Sequence, residues 1–160
     1  MKRFCSTAGV ALAVLGVLAL AGRAAAGEPV PFKGSLGGDV THTPVDARTD
    51  FVVVEAAGTA TQLGRFTLDV PHYVDRPTRT AAGYYEFTAA NGDTVYAEFT
   101  GLAAPTATPG VLYIVETATI TGGTGRFAGA TGSFTSERVY DTVAGTTFGY
   151  FDGTISAPGH

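Results

Sequence analysis

The sequence carries a single cysteine, Cys5, among its first residues. Downstream of residue 26 there is none, which excludes disulfides, thiol catalysis and cysteine–metal sites for that part of the chain. Basic residues are scarce too. Seven of the ten fall after residue 26, against fourteen acidic residues, a net charge of −7. Nucleic acids and anionic lipid surfaces both reward clustered Lys and Arg, so neither is an expected partner. No amphipathic helix pattern occurs after residue 27. The three histidines, His42, His72 and His160, lack metal-ligand spacing. The stretch DVTHTPVDARTD holds Asp39, His42, Asp46 and Asp50 without the spacing of a calcium loop, and it reads as a solvated loop. No serine sits in Gly-x-Ser-x-Gly. Neither a metal nor an organic cofactor is expected.

What is present begins with a leader pattern. Lys2 and Arg3 precede an apolar run from Ala8 to Ala21, and Ala24-Ala25-Ala26 offers small residues before Gly27. This predicts a cleaved signal peptide over 1–26 and a secreted or periplasmic protein. The run is too short for a spanning helix, which needs ~20 residues, so no membrane association is expected after cleavage. Residues 27–160 then form one domain, large enough to bury its own core.

Within that domain, short apolar and β-branched runs are separated by Gly, Pro, Asn and Asp, an all-β pattern. Eight strands are expected: Phe32–Thr41, Phe51–Thr61, Gly64–Tyr73, Ala82–Ala89, Thr94–Leu102, Val111–Thr121, Gly132–Tyr140 and Thr146–Ile155. Asn91-Gly92 lies between two alternating runs and suits a two-residue type I′ turn. That turn sets Tyr85 opposite Glu98 and Phe87 opposite Tyr96. Both faces of this hairpin carry large apolar groups, which suits a barrel. One face packs the lumen, and the other meets loops, a terminus or another subunit, leaving a homo-oligomer open.

The segment TITGGTGRFAGATGSFT packs Gly122, Gly123, Gly125, Gly129 and Gly132 into eleven residues. It lacks the Lys of a phosphate-binding loop, and Ala128 stands where a dinucleotide fingerprint needs its third glycine. The glycines instead predict a corner. Gly122 and Gly123 end a strand, Phe127 and Ala128 plug a one-turn excursion, and Gly129 and Gly132 bend the chain back.

These residues carry a resemblance. ETATITGGTGRFAGATGSFTSE resembles the strand–turn–strand signature of the allene oxide cyclase and dirigent barrel superfamily. TQLGRFTLDV and NGDTVYAEFTG are similar to its secreted bacterial members. The resemblance spans Val52 to Ile155 and implies a single eight-stranded antiparallel β-barrel with an apolar cavity. It also implies ring closure or steered coupling of small molecules as the chemistry of the plant enzymes. No catalytic residue of the family has a match in this chain.

Candidate site residues therefore come from the chain itself. Glu55, Glu98 and Glu116 stand in otherwise apolar strands, and Tyr85 faces Glu98 in the expected hairpin. A carboxylate beside a phenol can bind a polar ligand end or move a proton. Tyr85, Phe87, Tyr96 and Tyr113 are candidate ligand-binding residues. The reading is a secreted barrel that binds a small apolar molecule in its lumen. A cyclase- or dirigent-like enzyme and a packed-lumen structural or interaction module are the alternatives. Alternation alone does not say which strand face lines the lumen.

Overall fold

The computed structural model describes residues 27–156. The leader segment 1–26 and residues 157–160 lie outside them. Eight strands close into one barrel, each hydrogen-bonded antiparallel to its sequence neighbours and β8 to β1. They are β1 (Val30–Pro44), β2 (Thr49–Ala60), β3 (Gly64–Asp75), β4 (Thr80–Ala89), β5 (Thr94–Pro105), β6 (Val111–Gly123), β7 (Thr131–Asp141) and β8 (Thr146–Ser156). The eight expected strands are all present, most of them extended by one to three residues at an end. Closure leaves no edge strand unpaired, which suits a barrel without disulfides. Among the described residues no helix is long and apolar enough to cross a membrane.

The inward positions follow the two-residue period of each strand. Phe32 and Leu36 of β1, Phe66, Leu68 and Val70 of β3, Tyr85 and Phe87 of β4, Phe134 of β7 and Phe151 of β8 are all buried. Phe87 is central, with ring centroids 5.3 Å from Phe66, 5.3 Å from Phe151, 5.6 Å from Phe32 and 5.8 Å from Phe134. These rings fill the middle of the lumen where an open apolar cavity was expected. Eight strands enclose a space just wide enough for side chains to fill, and phenylalanine is large enough to do it.

The glycine-rich corner behaves as its sequence suggests. A single 3-10 turn, Gly125–Phe127, follows β6. It buries Phe127, with Ala130 behind it, as a plug over one end of the barrel. Gly125 has a φ of 56° and Gly129 one of 73°, the left-handed region that costs a side-chain-bearing residue energy. A Cβ at Gly125 would also collide with the Asp93 carboxylate, which accepts the Arg126 N–H at 3.4 Å. Gly125→Ala is therefore expected to destabilise the fold by about 1 kcal/mol or more. Unchanged chemical denaturation would refute the conformational argument.

The β4–β5 hairpin differs from expectation by one residue. Asn91 is not at positive φ and Gly92 is, at 87°. Gly92 N–H donates to the Ala89 carbonyl, and Ala89 N–H to that of Asp93. The connection is a three-residue loop, a type I turn followed by one left-handed glycine, in place of the two-residue type I′ turn. Added loop length changes the register, so Tyr84 faces Glu98, Tyr85 faces Ala97 and Glu86 faces Tyr96. The expected pairs Tyr85–Glu98 and Phe87–Tyr96 do not exist. DVTHTPVDARTD is likewise mostly strand: β1 runs to Pro44 and β2 starts at Thr49. Asp46 alone plays a loop role, accepting the N–H groups of Arg48 and Thr49.

Candidate functional site

The strand period sorts the candidate residues into two groups. Glu55, Glu98, Tyr96 and Tyr113 lie on the outer wall. Tyr113 donates to Glu137 there, and that hydrogen bond pushes its hydroxyl up to about 12. Tyr85, Phe87 and Glu116 lie in the lumen, fully buried. The structure brings Tyr85 and Glu116 together: the phenol donates to Glu116 Oε2, and its ring stacks on Phe87 at 5.6 Å.

Glu116 sits at the centre of a buried polar network at the end opposite the plug. Arg138 on β7 binds it with two nitrogens, Nε to Oε2 at 3.0 Å and Nη2 to Oε1 at 2.6 Å. Arg138 Nη1 also reaches the Thr147 hydroxyl at 3.3 Å, and that hydroxyl donates to the Val139 carbonyl at 2.9 Å. Burial pushes the Glu116 carboxyl up, but the Arg138 guanidinium and the Tyr85 hydroxyl outweigh it and hold the group below the usual carboxylate range. Burial, then the adjacent Glu116, push the Tyr85 hydroxyl far up, so it stays a neutral donor. Gly101 makes room for this arrangement, since a Cβ there would stand 2.5 Å from Glu116 Cγ. Ser136, cross-strand from Glu116, is fully buried and its hydroxyl has no protein partner.

His72 lies in the same part of the lumen, buried and edge-on to Phe99 at 5.6 Å. Its Nδ1 is 2.8 Å from the Val70 carbonyl. A carbonyl only accepts, so Nδ1 carries the proton, and Nε2 is the acceptor of a neutral ring. Burial is the main cause that holds this imidazole neutral, below its usual range. The unfolded chain therefore binds a proton that the folded barrel resists. Stability is expected to be full above about pH 6.5 and to fall as pH drops below it. His72→Phe should flatten that part of a pH–melting profile; a profile identical to the parent's would contradict the assignment.

Nearer the rim, Tyr140 and His42 are stacked, with the hydroxyl 3.0 Å from His42 Nε2. Asp50 lies 3.8 Å from His42 Nδ1, and Arg76 pairs with Asp50 at 3.4 Å. Sequence reasoning missed Arg138, Ser136, His72 and this rim group. One signal was present: all but Arg76, which lies in the β3–β4 turn, stand at the spacing of the buried apolar residues of their own strands, as in Phe134-x-Ser136-x-Arg138-x-Tyr140. Among the described residues no group of three or more His, Cys, Asp or Glu is placed to hold a metal ion.

No protein-family model matches the chain, and no curated protein matches it. Among solved structures, the fold is similar to that of a pterocarpan synthase dirigent protein. The match has a TM-score of 0.58 at 12% identity, over 92% of this chain and 99% of the other. The barrel is therefore dirigent-like in fold.

Proposed function

We propose that the chain is a secreted small-molecule barrel of dirigent-like type, whose site is the polar end of the lumen. The secreted part of this reading rests on the leader pattern of residues 1–26. The observation that carries the site is His72: a buried, neutral imidazole whose Nε2 has no protein partner among the described residues. An open imidazole acceptor at this end of the lumen suits a bound hydroxyl group, and Ser136, cross-strand from Glu116, is a buried hydroxyl without a protein hydrogen-bond partner. The ligand class that follows is a small ring compound carrying a hydroxyl. Its apolar part would rest on Phe99 and Ile114, and its oxygen would meet His72. Tyr85, Glu116 and Arg138 then fix the wall against which the ligand is oriented. Steering of a reactive molecule by shape and a few hydrogen bonds is the dirigent-like activity this arrangement suits.

Mass spectrometry of ligands retained by the protein purified from its native host tests the reading. Retention of a hydroxylated ring compound, lost in His72→Phe, is the expected result. A ligand-free protein, or retention indifferent to His72→Phe, would refute it.

A second reading has its own support. Aromatic rings fill the middle of the lumen, and among the described residues two concavities of about 750 and 430 Å³ are lined mostly by residues of the outer wall. A structural or interaction module with a filled lumen would look the same there.

A further inference from the structure

The larger outer concavity, about 750 Å³, lies across β2–β6; its lining is mostly outward residues, and His72 and Phe99 border it from the lumen side. Proline creates its floor. Pro71 has no N–H, and the β3–β4 ladder pairs Asp69 with Glu86 and then His72 with Gly83, skipping the two positions between. Phe51, Tyr73 and Tyr84 surround this gap, with Phe51 and Tyr73 in contact at 5.2 Å. Tyr73 and Tyr84 are 57% and 59% exposed, a large aromatic surface given to solvent. Glu98 stands opposite Tyr84 in the next strand and faces the same hollow. It makes no ion pair or hydrogen bond among the described residues.

Charge decides what such a hollow takes. The outward positions of β2–β5 carry Glu55, Asp69, Glu86 and Glu98, and one basic residue, Arg65, near the plugged end. Arg48 and Arg76 beyond the other end are held by Asp75 and Asp50, and Arg79 lies in the β3–β4 turn. Aromatic faces are themselves negative, so rings beside an unpaired carboxylate attract a cation and repel an anion. A small metal ion would keep its water, because the hollow offers one carboxylate and mostly apolar walls. A second copy of this acidic wall would bring like charges together.

We propose that this outer hollow binds an organic cation with an alkylated ammonium head. The head rests against the Tyr73 and Tyr84 rings, and Glu98 supplies the counter-charge. The volume suits a small molecule, within the usual range of roughly 300–1,000 Å³ for ligand sites.

The test uses the full secreted chain with choline as probe and 3,3-dimethylbutanol, its uncharged analogue of the same shape, as control, at constant ionic strength. Ring resonances of Tyr73 and Tyr84 are followed by NMR. The expected result is saturable shifts of both rings with choline and at least several-fold weaker binding of the alcohol. Glu98→Gln and Tyr84→Ala should each weaken choline by roughly three- to tenfold. Both side chains are exposed, so the variants should keep the parental melting temperature. Equal binding of the alcohol, unsaturable shifts, or shifts at His42 and His72 instead of the outer tyrosines would each overturn the proposal.

Discussion

Arg138→Met is expected to destabilise the barrel by about 3–5 kcal/mol, because it leaves the Glu116 carboxylate buried without its counter-charge. At the size of this domain that corresponds to a fall in melting temperature on the order of 10–20 °C. Glu116→Gln should cost a similar amount for the mirror reason, a guanidinium buried among Thr147, Ser136 and Tyr85. The double variant Glu116→Leu, Arg138→Met removes both charges. It should recover most of the loss, since a buried pair replaced by apolar groups of similar size is often close to neutral. Acid should imitate the single variant. The Glu116 carboxyl is held below its usual range in the folded barrel, so its stabilisation is present above that range. It is lost as pH falls through the folded value. A double variant as unstable as the sum of the singles would show that the two residues act separately, against the bidentate geometry.

The second large effect belongs to the ring cluster. Phe87→Ala is expected to cost about 3–5 kcal/mol, the transfer term plus the cavity left among Phe32, Phe66, Phe134 and Phe151. The cavity should also be measurable: a small apolar probe such as xenon or benzene should bind the variant and not the parent. If the parent binds the probe equally well, the lumen already holds that space and the packed description fails.

The extent to which the sequence reveals this molecule differs between strands and site. Strand existence is legible because glycine, proline and Asn-Gly punctuation separate every apolar run, and β-branched and aromatic residues fill the runs between. The corner is legible for the same reason: Gly125 and Gly129 occupy conformations that other residues avoid, and Phe127 is the large apolar group of that segment available to cover the end. Register is harder. The Asn91-Gly92 dipeptide fits both a two-residue and a three-residue loop, and the choice changes every cross-strand pair in the hairpin. The pair Tyr85–Glu98 was lost to that single residue, and Tyr85 found Glu116 on β6 instead, across the lumen. Nothing local to β4 announces that partner, because the contact depends on closure of the whole barrel. Arg138, His72 and Ser136 were passed over for a different reason. Each is ordinary in composition and becomes unusual only once the lumen face is known. With the face fixed by Phe134, Leu68 and Val70, a charge or an imidazole on that same spacing marks the polar end.

That end of the lumen is the proposed site, where a small hydroxylated ring compound would meet His72. The most direct measurement follows the ring resonances of His72 and His42 while a simple phenol is titrated into the protein. A saturable shift of His72, with a smaller one at His42 and none at the outer Tyr84, is the predicted result. Shifts confined to the outer wall, or a His72 ring indifferent to every concentration, would contradict it.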